Sequence, residues 1–206
     1  VPEHYDDVVG RPPKYDAMTM VDRAMDVFWV KGRQQTSIRD LEEALDMKAP
    51  SIYYRFADKD ELFAACLARY RSRIVERRIA AHLPGRGDPI AELEAFFDTA
   101  VLPEKPGARS RGCMLNQAAI DGPRLSDKAH REVREGLDSI ERAFVTHLET
   151  AVERGRIRSD TDVTSLAQLL LVGFQGVLVL ARAGESPDRL RQRLRAVFTP
   201  VRLAEI

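Results

Sequence analysis

The chain has 206 residues, 44% of them apolar, enough to bury a core as one large domain or two small ones. Lys plus Arg and Asp plus Glu stand at 32 each, so no global positive field draws the protein to nucleic acid, and a bare charge test excludes a strongly basic DNA-coating protein. Two widely separated cysteines, Cys66 and Cys113, exclude a disulfide scaffold and suit a reducing cytoplasm.

Residues 1–16 read as an arm. Glu3, Asp6 and Asp7 are acidic, after which Gly10-Arg11-Pro12-Pro13-Lys14 turns basic and extended, the proline pair excluding helix. Arg11 and Lys14 are candidate DNA contacts, Arg11 in a minor groove; the plain alternative is a tail with incidental charge. A first helix is expected from about Tyr15 to Lys31, with Val21, Ala24, Met25, Phe28 and Trp29 on one face and Trp29 in the core of the small domain. Gly32 ends it.

The stretch Thr36–Leu62 then reads as two short helices, a tight turn and a restart into a long third helix, the layout of a helix-turn-helix DNA reader. Ile38, Leu41, Ala44 and Leu45 form an inward apolar stripe, Thr36 or Ser37 caps the first short helix, and Asp40 sits in its first turn, where the dipole favours an anion. Asp46 occupies the turn, where a residue tolerant of positive φ is needed. The second short helix, about Lys48 to Arg55, is the recognition helix, with Pro50 in its first turn and Ile52 and Phe56 pinning it to the bundle. Lys48, Ser51, Tyr54 and part of Tyr53 face outward, and Asp58 starts the next helix.

These residues carry a resemblance. Gly32, Thr36, Ser37, Ser51, Ile52, Tyr53, Phe56 and Lys59 match the pattern of the N-terminal domain of TetR-family transcriptional regulators, over about Arg11 to Tyr70. The Pro-Ser before the tyrosine and the Asp-Lys after the phenylalanine resemble the subgroup that holds copper-responsive and aldehyde-type repressors. The resemblance implies a dimeric regulator, in the first instance a repressor, whose two recognition helices lie one DNA turn apart on a palindromic operator. Lys48, Ala49, Pro50, Ser51, Tyr53 and Tyr54 would meet the major groove and its edges, while Thr36, Ser37 and Lys59 would hold phosphates. Lys48 stands where a good N-cap belongs, so a DNA phosphate is expected to complete that helix end.

Placement has to compensate for charge. Positions 10–59 hold Arg11, Lys14, Arg23, Lys31, Arg33, Arg39, Lys48, Arg55 and Lys59, nine basic residues against eight acidic ones. Asp22, Asp26, Glu42 and Glu43 are expected to face away from the DNA, with modest non-specific affinity and fairly early salt sensitivity, since few phosphates would be neutralised.

A long helix is expected from Asp58 to about His82, apolar on the side of Leu62, Phe63, Cys66, Leu67, Tyr70 and Ile74, with Arg69, Arg71, Arg73, Arg77 and Arg78 on a solvated face. Further helices are expected at about 89–102, 108–120, 125–154, 162–182 and 187–203, making the chain all-α. The organisation expected is an arm at 1–16, a helix-turn-helix domain at 17–60 and an effector-binding and dimerisation domain at 61–206. The apolar run Leu166–Ala181 is interrupted by Gln168, Gly173, Gln175 and Gly176, so no membrane span is expected, and no signal peptide is legible. That helix needs cover on both sides. By the resemblance, the pair at about 162–182 and 187–203 forms a four-helix bundle with a second subunit.

Catalytic signals are poor: His4, His82, His130 and His147 lack metal-ligand spacing, and no phosphate loop follows a strand. No enzyme activity, metal or cofactor is expected. The alternative kept open is an all-α small-molecule-binding module or enzyme that has lost DNA recognition. Candidate linings for a small-molecule effector are Phe96, Phe97, Cys113, Met114, Asn116, Gln117, Phe144 and Phe174, all of which also read as ordinary core. Asn116 and Gln117 are of interest because a buried amide needs a partner. Cys113 has two readings, a small packing residue or, as in several relatives, a thiol sensor with Arg109 and Arg111 nearby.

Overall fold

Asp16 opens the first helix of the computed structural model, which describes residues 16–102 and 110–206. Most of the expected arm, Arg11 and Lys14 included, and Arg109 lie outside the described residues. The Asp16 carboxylate accepts the Thr19 amide at 2.8 Å and starts α1, Ala17–Lys31, which Gly32 terminates. α2, Ile38–Leu45, begins in a reciprocal box in which Ser37 accepts from the Asp40 amide and Asp40 accepts from the Ser37 amide. Asp46 then turns the chain in the left-handed region at φ 51°, ψ 47°, as the turn position requires. α3, Ala49–Arg55, buries Ile52 beneath it, and Phe56 packs against the same core.

The Asp40 carboxyl is lowered to about 2, first by the Lys31 ammonium 2.6 Å away and then by the Ser37 amide and hydroxyl. Its folded pKa lies below the ordinary 3.8, so its contribution to stability is fully present above that value and is lost as the pH falls toward about 2. Acid titration followed by circular dichroism should therefore show wild type losing more stability than Asp40→Asn between about pH 4 and about pH 2. Parallel curves for the two proteins would contradict this.

Asp58 accepts the amides of Asp60 and Glu61 and starts α4, Lys59–Tyr70. The expected single helix to His82 is instead three pieces in one rod: α4, a π-helical turn at Arg71–Val75, and α5, Glu76–His82. A π turn inserts an extra residue into the helical ladder and so changes which face the following residues present. α6, Pro89–Val101, is capped by Asp88. α7 is Met114–Asp121; Ser110 to Cys113, which the expected helix included, are non-helical, with Gly112 at φ 67°. After a 3-10 turn at Gly122–Arg124, Ser126 caps α8, Asp127–Glu153. α9, Val163–Arg182, and α10, Pro187–Val197, follow. The last expected helix is broken at Phe198 and resumes as α11, Thr199–Ala204, because Pro200 has no amide with which to continue the ladder. Among the described residues the only strand-like pairing is an isolated bridge between Ile157 and Glu205.

One continuous core runs from the head, α1 to α3, through α4 into the body formed by the helices after it. In the head, α1 lies along α4, and Asp22 on α1 binds both Arg69 (2.7 Å) and Arg73 (3.0 Å). Arg71 binds Glu132 and Glu135 of α8 at 3.1 Å each, so these arginines are tied into the structure rather than solvated as expected. In the body, Phe97 packs against Phe96, Phe144, Phe174 and Phe198, with ring centroids 4.7–6.2 Å apart. The loop between α5 and α6 is strapped to α8: Glu92 gathers the amides of Gly85, Arg86 and Gly87 and meets His147 Nε2 at 2.9 Å.

α9 departs from expectation. By length and composition, with a mean hydropathy of 1.9, it is long and apolar enough to cross a membrane, and only 33% of that window is buried. The four interrupting residues are too few to offset its leucines and valines. Its exposed Leu169, Val172 and Val179 lie on one face at i, i+3 and i+10. Gly173 faces inward instead: a Cβ there would come within 2.7 Å of Val197 on α10.

Candidate nucleic-acid interface and effector cavity

The recognition helix is held from beneath by Ile52, which is 1% exposed, and this turns the opposite side out. Tyr54 is 92% exposed and Tyr53 40%; Lys48, Ser51 and Arg55 are exposed as well. Among the described residues none of the side chains of Lys48, Ser51, Tyr54 and Arg55 has an internal hydrogen bond or ion pair. Ala49 is half-buried and Pro50 is exposed in the first turn. A row of unpaired donors and an aromatic ring on one short helix can approach the edges of a major groove.

The expected phosphate holders are placed differently. Thr36 is 1% exposed and donates its hydroxyl to the Gly32 carbonyl at 2.7 Å, so it locks the turn after α1 and cannot reach DNA with that group. Lys59 donates to the carbonyls of Arg33 (3.2 Å) and Thr36 (3.1 Å), holding the same turn onto α4. Ser37 is exposed, but its hydroxyl is engaged with Asp40. The open end expected at α3 is also filled. Glu42 does not face away; its carboxylate accepts the Ala49 amide at 2.8 Å. A negative charge already occupies the place assigned to a DNA phosphate, because the α2–α3 turn brings Glu42 across to the start of α3. Arg39, exposed on α2, is a basic group the sequence reading left unassigned.

In the body a small cavity of about 20 Å³ lies between the end of α4, the π turn, α5, α6, the segment before α7, α8 and α9, with room for about one water molecule. Of the candidate lining residues, Phe96, Cys113 and Phe174 border this cavity, together with Tyr70, Ile74, Val75, Arg78, Gly112, Ile140 and Leu178. Tyr70 and Ile74 had been legible as the apolar side of their helix, whereas Arg78 had been read with the solvated basic residues. Phe97 and Phe144, each 0% exposed, belong to the aromatic cluster and not to this wall. Met114 is buried at the start of α7. Asn116 donates to the Gln175 carbonyl at 3.0 Å and Gln117 to the Arg111 carbonyl at 2.9 Å, so both amide groups serve backbone. Among the described residues, Gln117 Oε1 and both side-chain polar atoms of Gln175 are buried without a partner.

Burial pushes the Cys113 thiol above its ordinary value, against the opposing pull of the Asn116 and Leu115 amides, the Tyr70 hydroxyl and Arg78. Burial likewise pushes Tyr70 well up. Both groups are neutral around pH 7, and a buried neutral thiol is a poor nucleophile. Cys66, 0% exposed, is core, as expected.

Comparison with known proteins assigns this arrangement. Residues 20–66 match the profile of bacterial regulatory proteins of the tetR family, and residues 89–197 match that of the tetracyclin repressor-like C-terminal domain. The chain belongs to the TetR family. It is 32% identical over 185 residues to the HTH-type transcriptional repressor ComR of Escherichia coli (strain K12), covering 89% of this chain and 87% of ComR. It is 23% identical over 180 residues to the HTH-type transcriptional repressor DhaR of Mycobacterium sp. (strain GP1), covering 87% of this chain and 88% of DhaR. Among solved structures, a cysteine variant of the TetR-family regulator CifR complexed with 26-bp double-stranded operator DNA superposes with a TM-score of 0.78 at 28% identity, covering 91% of this chain and 99% of that one. As a TetR-family member the chain is a ligand-responsive, DNA-binding transcriptional regulator. C-terminal domains of this family mediate dimerisation and effector binding.

Proposed function

We propose that this regulator represses transcription by binding a palindromic operator as a two-fold dimer, and that a small ligand in the α6–α9 cavity releases it. The observation that carries the reading is the outward face of α3, where Tyr54 stands 92% exposed above a buried Ile52. Lys48, Ser51, Tyr53 and Tyr54 read the groove, and Arg39, Arg55 and the Ser37 region hold phosphates. The division of labour supported is a DNA-reading head at about 17–60 and an effector and dimerisation body at about 61–206, with Arg11 and Lys14 of the arm as further DNA contacts. The exposed apolar stripe of α9, with α10 beside it, is the surface offered to the second subunit. Burial of that stripe in a dimer accounts for its hydropathy without a bilayer.

The burial-raised thiol of Cys113 favours a ligand held without a covalent bond over thiol modification. The cavity as it stands admits about one water, so a ligand of even a few heavy atoms must displace the π turn or the Phe96 and Phe174 rings. It binds the expanded state better and so draws the protein to it.

The test is selection of random duplex DNA on the immobilised full chain at moderate salt, followed by sequencing. Recovery of an inverted repeat with half-sites one helical turn apart is the expected result. A pool that stays without an enriched motif, with cell extract present to supply a corepressor, would overturn the reading in favour of a binding module.

A further inference from the structure

Arg182, the last residue of α9, reaches out of the body to the head. Its guanidinium donates to the carbonyls of Trp29 (3.1 Å) and Val30 (3.0 Å) and, at the same time, to that of Arg111 (2.7 Å). Trp29 and Val30 lie in the last turn of α1, where carbonyls lack helical partners and the dipole favours a cation. The fork is therefore a C-cap supplied from another part of the molecule.

The same junction is closed from the other side. Trp29 Nε1 donates to the Gly112 carbonyl at 3.0 Å, and Arg111 pairs with Asp26 of α1 at 2.6 Å while lying 5.2 Å over the Trp29 ring. Gly112 leaves no slack: at φ 67°, a Cβ would stand 3.1 Å from the Arg182 Cβ and 3.4 Å from the Leu178 carbonyl. Gly112, Cys113 and Leu178 also line the cavity. One guanidinium thus touches the head and the irregular segment before α7 that walls the cavity, from the end of the helix whose apolar face is turned outward.

We propose that Arg182 is a positioning residue for operator binding: it fixes the angle of the head relative to the dimer helix α9, and it carries displacement of the Arg111–Cys113 segment to α1. This route is separate from the long rod of α4, the π turn and α5. It rests on the reading of the chain as a two-fold operator binder, since head angle matters only when two heads must match one spacing.

The experiment compares wild type, Arg182→Met and Arg182→Lys by fluorescence anisotropy on three duplexes: the selected operator, the same half-sites respaced by one base pair, and a single half-site. Methionine keeps an apolar stem without the fork; lysine restores charge without it. Wild type should prefer the native spacing strongly. Arg182→Met should lose about tenfold on the native operator, bind the respaced duplex within about twofold of it, and leave single half-site binding unchanged, with lysine intermediate. Retention of the wild-type spacing preference by Arg182→Met would overturn the proposal, and so would equal loss on all three duplexes, which would mean that the head itself had been damaged.

Trp29, the only tryptophan in the chain, supplies a readout independent of DNA. Its emission should shift to the red in Arg182→Met as the junction loosens, and an unchanged spectrum would again count against the latch. If wild type itself selects no inverted repeat, the operator reading fails, while the emission spectrum still decides whether Arg182 holds the head.

Discussion

Replacing Phe97 by alanine is expected to destabilise the body by about 3–5 kcal/mol, the range for emptying a fully buried phenylalanine site. Phe97 is 0% exposed and packs against four other rings, the nearest being Phe174 at 4.7 Å and Phe198 at 4.9 Å. Those rings belong to α8, α9, the α10–α11 junction and α6 itself, so no single element can collapse into the space without dragging another. The cavity term should therefore stand near the top of its range. For a chain of this size the thermal midpoint should fall by about 10 °C or more. Phe97→Leu, which keeps most of the volume, should lose far less. Ile206→Ala, at a site 85% exposed, sets the baseline in the same calorimetric series. A Phe97→Ala midpoint at that baseline would show that the aromatic cluster is not the body's core.

Tyr54 is expected to behave in the opposite way. At 92% exposure, and with no internal partner among the described residues, its truncation to alanine should change stability by no more than about 0.5 kcal/mol. Operator affinity, by contrast, should fall by about 1–3 kcal/mol per half-site, and a two-fold dimer incurs that loss twice. The tyrosine carries no charge, so the slope of log affinity against log salt should stay as in wild type. Arg55→Ala, at an exposed phosphate-holding position, should instead flatten that slope by about one unit per half-site. Anisotropy titrations at several salt concentrations separate the two. Unaltered operator affinity in Tyr54→Ala would remove α3 from the groove.

The two substitutions also mark the boundary between what could and could not be read in advance. In the head, local signals are dense and agree with one another. The Ser37–Asp40 box, the Asp46 turn, Pro50 in the first turn of α3 and the Asp58 cap each act over four residues or fewer, so the string of letters contains nearly all of the physics. Tyr54 follows directly: once Ile52 is the buried position, helical periodicity turns position 54 outward. The phosphate contacts were harder to read, because a hydroxyl or an ammonium is available to DNA only if the fold has not already engaged it. Thr36 and Lys59 are taken up by carbonyls of the turn after α1, and Glu42 crosses a turn to cap α3. None of these pairings has a fixed sequence spacing that would announce it.

In the body, the apolar periodicities marked the helices and the buried side of each, but not which buried residues border a cavity. Phe96 and Phe174 line it while Phe97, next in the chain to Phe96, does not. That difference depends on how α6 is rotated against α8 and α9, and on a π turn that re-aims Ile74, Val75 and Arg78. Part of the role of Trp29 likewise escaped the sequence: it packs on the core against Tyr70, as expected, but it also bridges head to body, since its Nε1 finds its partner 83 positions away.

By itself, then, the sequence determined the helical class, the helix-turn-helix with its outward face, and the family, because these rest on caps, turns and periodicity that act within a few residues. Only the tertiary structure decided which polar groups remain free for DNA, where the cavity lies and that Arg182 joins α1 to α9. Each of those depends on groups far apart in the chain meeting at hydrogen-bond distance, and only the packing of whole helices sets such distances.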